Sequence, residues 1–292
     1  MKKLFTLLAL TITFSMNAQM DDNSAGTSAG FFAVAMGYDT TASGNYSTAM
    51  GYDTTASGIE STAMGRNTTA TGSRSTAMGS YTTANGYAST AMGRSTNANG
   101  NYSTAMGYFT TASDYASTVI GQYNSSGSSA TSAYSFSTSA PAFVIGNGTA
   151  SNAKSDAFKV MFNGDATVSN DLTVSGDVVV SSDARLKSNI VSLGSTLSRL
   201  LLIDGKSYEM KGKQKIGVLA QDIKEVFPEL VTEDSNEMLA VNYQGLVPVL
   251  INALKEQDGK IKEQQSEIEI LKQQQAEIDE LKEMVNQLIS SK

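Results

Sequence analysis

No cysteine and no histidine occur in the 292 residues. The first absence removes disulfides, thiolate chemistry, cysteine-based zinc sites and lipid attachment through an N-terminal cysteine. The second removes imidazole as a general base and as a metal ligand. Carboxylate, lysine and tyrosine are what remain for acid–base work. Positive charge is also scarce. The net charge is −7 and no basic patch is concentrated in the chain, which argues against nucleic acid as a partner. No carboxylate pair, metal constellation or cofactor motif stands out, so no metal and no cofactor is expected.

The N-terminal stretch MKKLFTLLALTITFSMNAQ places Lys2 and Lys3 before an apolar run, Leu4 to Phe14, interrupted only by threonines. Small or polar residues follow, with a cleavage position near Ala18. Residues 1–19 read as a secretory signal peptide; a buried N-terminal helix is the alternative. No later run approaches the ~20 apolar residues of a membrane span. The mature chain is expected to be secreted or held at the cell surface, with no membrane span.

What is abundant is a repeat. Ala-Met-Gly ends at Gly37, Gly51, Gly65, Gly79, Gly93 and Gly107, and Val-Ile-Gly closes the series at Gly121. The period is 14 residues without a slip. A second glycine lies midway, at Gly44, Gly58, Gly72, Gly86 and Gly100. Asp114 takes the sixth such position, where its tolerance of positive φ would explain the exchange. Glycine every seven residues would cost about 1 kcal/mol each inside a helix. Short strands separated by bends fit better. In Ser47-Thr48-Ala49-Met50-Gly51, Ser and Ala face one way and Thr and Met the other. One face can line the narrow interior of a coil, and the other can pack on a neighbouring subunit. Residues after each glycine, such as Tyr38, Arg66, Arg94 and Ile59, read as solvent-facing bends. The economical solution over residues 20–121 is a parallel β-solenoid, one repeat per coil, about 30 Å long at the usual strand spacing. Its small core calls for oligomerisation.

The units Ser-Thr-Ala-Met-Gly and Thr-Ala-Ser-Gly resemble the head repeats of YadA-like trimeric autotransporter adhesins, over roughly residues 31–121. The resemblance implies a trimeric, left-handed parallel β-roll that binds host or matrix surfaces. The chain departs from that family in using Met where Ile or Val is frequent. The same rod can equally be a stalk that only sets spacing.

Residues 122–181 form a connector. The Ser-rich part, 122–140, lacks periodicity and reads as an irregular loop or flexible segment. Residues 157–180 then alternate apolar and polar, with a hairpin signal at Asn163-Gly164. Short strands making a β-shaft are expected. Asp165, Asp171 and Asp177 recur every six residues, as solvated strand ends or as calcium ligands.

From Ser182 the composition turns charged and the Gly-Ser-Thr bias fades. A helix is expected around Gly194–Ile203, a strand over Lys206–Met210, a helix over 221–226, a turn and strand at 227–231, and helical spacing from Leu246 onward. The residues Ser182-Asp183-x-Arg185-Leu186-Lys187-x-Asn189-Ile190, Gly217-x-x-Ala220-Gln221-Asp222, Pro228-Glu229-Leu230-Val231, Val241-Asn242-Tyr243 and Leu246-x-Pro248 occur in order. Together they resemble the intramolecular chaperone auto-processing domain of phage tail spikes, tail fibres and endosialidases, here residues 182–256. The resemblance implies a domain that helps three chains assemble and then cuts itself off. It maps a serine–lysine dyad onto Ser182 as nucleophile and Lys187 as general base, with cleavage between Ser181 and Ser182. Asp183, Arg185, Asn189, Gln221 and Asn242 belong to the supporting motif. The chemistry is coherent, since a serine needs a base and a lysine serves as one only when neutral. Desolvation and a nearby cation such as Arg185 favour the neutral amine. Five residues do not share one helix face, so the pair has to meet through a turn or across subunits. The residues alone also allow a plainer role, with Ser182 and Asp183 capping a helix and Lys187 solvated.

Residues 257–292 carry Ile261, Ile268, Leu271, Ile278, Leu281, Val285 and Leu288 at spacings of three, four and seven. Gln264 and Gln275 take two core positions, and a stammer falls between Ile278 and Leu281. A parallel trimeric coiled coil fits; a single amphipathic surface helix is the alternative. The fold expected is therefore mainly β with an α+β C-terminal part: β-roll head, β-shaft, chaperone domain and coiled coil. The function expected is a secreted homotrimeric surface fibre whose head meets a cell-surface, matrix or glycan ligand. The alternatives are a spacer or matrix fibre without ligand and a tail-spike-like glycan hydrolase.

Overall fold

The computed structural model describes residues 30–234 and 237–291; the signal peptide expected over residues 1–19 lies outside them. The chain divides into two compact units, at Val178 and Val179.

In the first unit the repeat becomes a parallel solenoid, as the 14-residue period requires. Five-residue strands recur from Val34–Tyr38 and Thr48–Tyr52 through Thr118–Gln122. Each pairs in parallel with the strand one repeat on, so that Ala49 lies opposite Ala63 and Met50 opposite Met64. Two-residue strands, Thr41–Ala42 to Thr111–Ala112, stack into a second, six-stranded sheet. The alternation sorts the side chains as the pleat dictates. Ser47 and Ala49 are buried and Thr48 and Met50 are half-buried, and the pattern repeats along the roll. The interior is thus a column of alanines flanked by buried Thr and Ser hydroxyls.

The two glycines of each coil do different things. Gly51 has φ +127, a conformation closed to other residues, and a Cβ there would lie 1.9 Å from the Gly65 carbonyl oxygen. Gly58 is not left-handed; its Cβ would lie 2.1 Å from the Gly72 oxygen. The midway glycine is therefore demanded by the close approach of the next coil. This corrects the reading of Asp114. It too is not left-handed, and it replaces glycine because the chain leaves the repeat there and makes room.

Positive φ appears instead at non-glycine residues, two positions after each glycine: Asp39, Tyr46, Asp53, Glu60, Asn67 and so on to Tyr123. A left-handed residue costs about 1 kcal/mol or more. From Tyr46 on, each is held by its own amide, which donates to the coil before, as Asp53 N does to Tyr38 O at 2.8 Å and Asn67 N to Tyr52 O at 2.9 Å.

The Ser-rich connector is irregular, but it is firmly bonded to the roll. Asn124 stands in register with the buried threonines and closes the ladder with its side chain. Thr111 N donates to Asn124 Oδ1 at 2.8 Å, where earlier coils use a main-chain carbonyl (Asn97 N to Thr110 O). Asn124 Nδ2 donates to Thr111 O and Ser126 O. Asp114 Oδ1 accepts from Thr131 N and Ser132 N, and Asp156 accepts from Ser125 N and Ser126 N. Strand Pro141–Asn147 then continues the main sheet, pairing in parallel with Thr118–Gln122, and Asp156–Met161 and Ala166–Val168 follow antiparallel. The hairpin signalled by Asn163-Gly164 is present. Beyond it, Leu172, Val174 and Val178 to Val180 are exposed and form no strand. Their alternation describes a half-buried strand, and the single chain offers it no neighbour.

In the second unit, α1 is Leu197–Leu200, shorter than the span expected because Leu201 and Leu202 already turn. The hairpin Lys206–Met210 with Lys213–Gly217 follows, then α2, Ala220–Val226. Next comes a second hairpin, Val231–Glu233 with Leu239–Val241. One continuous helix, α3, runs Leu246–Ser290. Ile223, Phe227, Leu230 and Val249 form the core, and Leu200, Ile203, Val218 and Val241 pack on it. The Arg199 guanidinium lies 4.0 Å over the Phe227 ring.

Candidate functional site

Residues 179–193 precede α1 and are exposed along their length. Within them a single 3-10 turn, Ala184–Leu186, brings Ser182 and Lys187 together. Asp183 starts that turn by accepting from Arg185 N at 2.9 Å. The turn folds the chain back, and Lys187 Nζ donates to Ser182 Oγ at 2.8 Å. Each reading of this stretch is met only in part: Asp183 alone caps, and caps a 3-10 turn rather than a helix, while Ser182 meets Lys187.

Arg185 does not supply a free cation beside Lys187. Its guanidinium is bound by the Asp183 carboxylate, with Nη2 to Oδ2 at 2.6 Å. The ion pair holds the Asp183 carboxyl below its ordinary range, chiefly through the side-chain hydrogen bond from Arg185, and holds Arg185 above its own. Asp183 thus pairs with the cation within the turn and also caps the turn through the Arg185 amide.

The other motif residues lie apart from this pair in their contacts. Asn189 is exposed and left-handed, with φ 52. Asn242 caps the turn that leads into α3, accepting from Gly245 N at 3.1 Å, while its own amide donates to Leu230 O. Gln221 lines a cavity of about 320 Å³ together with Tyr208, Leu219, Met238 and Tyr243.

One group at this end of the unit was not legible in the sequence. The Glu256 carboxylate of α3 accepts from Ser195 Oγ at 2.6 Å and from the amides of Thr196 and Leu197, satisfying the free N–H groups at the start of α1. Thr196 Oγ1 donates to Val249 O at 3.0 Å and is fully buried. Glu256 is held below the ordinary glutamate range, first by the Ser195 hydroxyl and then by the Thr196 amide. It anchors the root of the segment that carries Ser182 and Lys187. Ser195-Thr196 before a helix is a cap signal; the partner sixty residues on carries no signal of its own.

Two surfaces are left open. On the roll, the methionine file from Met36 to Met92 is half-buried and Met106 is exposed. On α3, Ile261, Ile268, Leu271, Ile278, Leu281, Val285 and Leu288 are all exposed. No helix among the described residues is long and apolar enough to cross a membrane.

Comparison with known proteins agrees with both units. The family model for the chaperone of endosialidase matches residues 182–232. That for the YadA head domain repeat matches 28–54, 56–82, 84–110 and 98–124. The long tail fiber protein Gp37 of Enterobacteria phage K3 is 34% identical over 95 residues, covering 29% of this chain and 8% of its own length. Gp37 of Enterobacteria phage T2 is 34% identical over 95 residues, covering 29% of this chain and 7% of its own. The chain thus spans less than a tenth of the length of these curated relatives. One polypeptide thus carries a solenoid similar to YadA head domain repeats and, after it in sequence, a segment similar to the chaperone of endosialidase.

Proposed function

We propose that the chain is an exported homotrimeric fibre, with a head that contacts a cell-surface, matrix or glycan ligand. Its C-terminal unit directs assembly and then releases itself by a cut between Ser181 and Ser182. The 2.8 Å contact between Lys187 Nζ and Ser182 Oγ carries the second part. Once neutral, Lys187 takes the Ser182 hydroxyl proton as Oγ attacks the Ser181 carbonyl carbon. The Oγ–C bond forms, the C–N bond breaks, and the Ser182 nitrogen receives the proton. Water then hydrolyses the ester, leaving a Ser181 carboxylate and restoring the Ser182 hydroxyl. In the single chain the pair is exposed, and the cut is expected to follow its burial on assembly.

The exposed apolar seam of α3 and the methionine file support the trimer, as do Leu201, Leu202 and Ile216, which are exposed on the second unit. A coiled coil brings three chains into register before the slow, non-local β-rod forms. The test is intact mass spectrometry of the purified chain over time. The expected product is a fragment Ser182–Lys292, absent from Ser182→Ala and Lys187→Ala while all three proteins sediment as trimers. A wild-type trimer that stays whole would refute the cut.

A further inference from the structure

The 14-residue register stacks the residues that follow each Met-Gly into one corner of the roll, and their order there is not random. From the third coil onward the corner holds Arg66, Tyr81, Arg94, Tyr108, Phe109 and Tyr123, with no Asp or Glu at the corner positions in between. The Arg66 guanidinium lies 5.9 Å from the centroids of both the Tyr52 and Tyr81 rings, and that of Arg94 lies 5.5 Å from Tyr108. Both arginines are exposed, and neither forms an ion pair among the described residues. The opposite corner differs: Arg74 is already bound by Glu60 at 2.9 Å.

From this we infer that the Arg66–Tyr123 corner binds a carboxylated polysaccharide, a chain of pyranoses bearing uronate groups, laid along the roll. This rests on the reading of the head as a ligand-binding fibre and names its ligand class. Three features select it. Coils stack at about 4.8 Å, and Arg66 and Arg94 are two coils apart, about 10 Å. One coil is close to the length of a pyranose in an extended chain, so the two arginines meet carboxylates on alternate units. A guanidinium fork is shaped for a carboxylate, and the neighbouring tyrosine rings help to hold each arginine in place. The aromatic rings supply an apolar body for sugar C–H faces and phenol hydroxyls for sugar hydroxyls.

The same features disfavour other polyanions. Two cations along five coils are too few for a densely charged phosphate or sulfate chain, whose binding depends on many such contacts.

The experiment is calorimetric titration of the full chain with alginate oligosaccharides, with dextran and a single-stranded dT oligonucleotide as comparators. Alginate is expected to bind and dextran not. The double variant Arg66→Gln/Arg94→Gln is expected to lose at least tenfold in affinity with an unchanged melting profile, and Arg74→Gln to bind as wild type. Native affinity in the double variant overturns the inference, as does tighter binding of dT than of alginate. Adhesion of the same proteins to cells and matrix is measured in parallel. If wild type and double variant adhere equally and alginate does not bind, this inference fails and the fibre reading stands. If wild type adheres to no surface and binds no alginate, both fail.

Discussion

Gly72→Ala isolates the steric reason for the midway glycine, because Gly72 is not left-handed. The new Cβ would sit 2.0 Å from the Gly86 carbonyl oxygen, 2.7 Å from its carbon and 2.8 Å from Asn85 O. Ordinary contact begins near 3.4 Å, so the coils have to part by more than an ångström. Thr71 N and Gly72 N both donate to Ala84 O, at 3.0 and 3.2 Å. A shift of that size takes both beyond bonding range. Two bonds at about 1 kcal/mol each, with overpacking strain of similar size, give a loss of about 3 kcal/mol per chain. That is a large part of the ~5–15 kcal/mol that holds a domain. Gly176→Ala is the control, with nothing within 4 Å of its Cβ and no left-handed φ; it should be neutral or stabilise by about 0.4–1 kcal/mol. Hydrogen exchange resolved on head amides reads the head without interference from the second unit. Equal protection of residues 62–98 in the two variants would refute the steric argument.

Two further outcomes follow from other contacts. Asn124→Ala leaves the amide and carbonyl of Thr111 without partners at the roll's end, a loss of about 2 kcal/mol or more; faster exchange should begin at Thr111 and decline toward the earlier coils. Glu256 has its carboxyl held below the usual range, so the stability it adds is fully present above the unfolded value and vanishes as pH falls through the lower folded one. Acid titration below about pH 4, followed by near-UV circular dichroism, should loosen the second unit in wild type. In Glu256→Gln that acid step should be reduced, from a less stable starting point at neutral pH.

The head was legible because one number, 14, sets strand, bend and register together, and the alternation of Ser-Thr-Ala-Met settles which face is inside. The reason for its glycines was only half legible. Close approach between coils is a property of stacking, and Gly58 and Gly51 look alike in a string of letters. The left-handed positions escaped notice because Asp, Tyr, Glu, Arg and Ala fill them, so composition gives no hint. The connector's order rests on three side chains, Asn124, Asp114 and Asp156, that bond to main-chain groups far along the chain. At the candidate site, the meeting of Ser182 and Lys187 through a turn was one of two geometries that five-residue spacing allowed. The pairing of Arg185 with Asp183 was not foreseen, although the two lie only two residues apart. The shaft strands were read from an alternation that one chain alone cannot satisfy.

Because every coil meets the next in the same 14-residue register, the length of the head is quantised. Removing or duplicating a whole repeat changes the reach by one strand spacing, about 4.8 Å, and presents no new interface to either neighbour. A gene that gains or loses 42 nucleotides here alters how far the tip stands from its base while leaving the fold's chemistry untouched. The roll is a ruler whose divisions are written in the sequence, and Asn124 marks its last graduation.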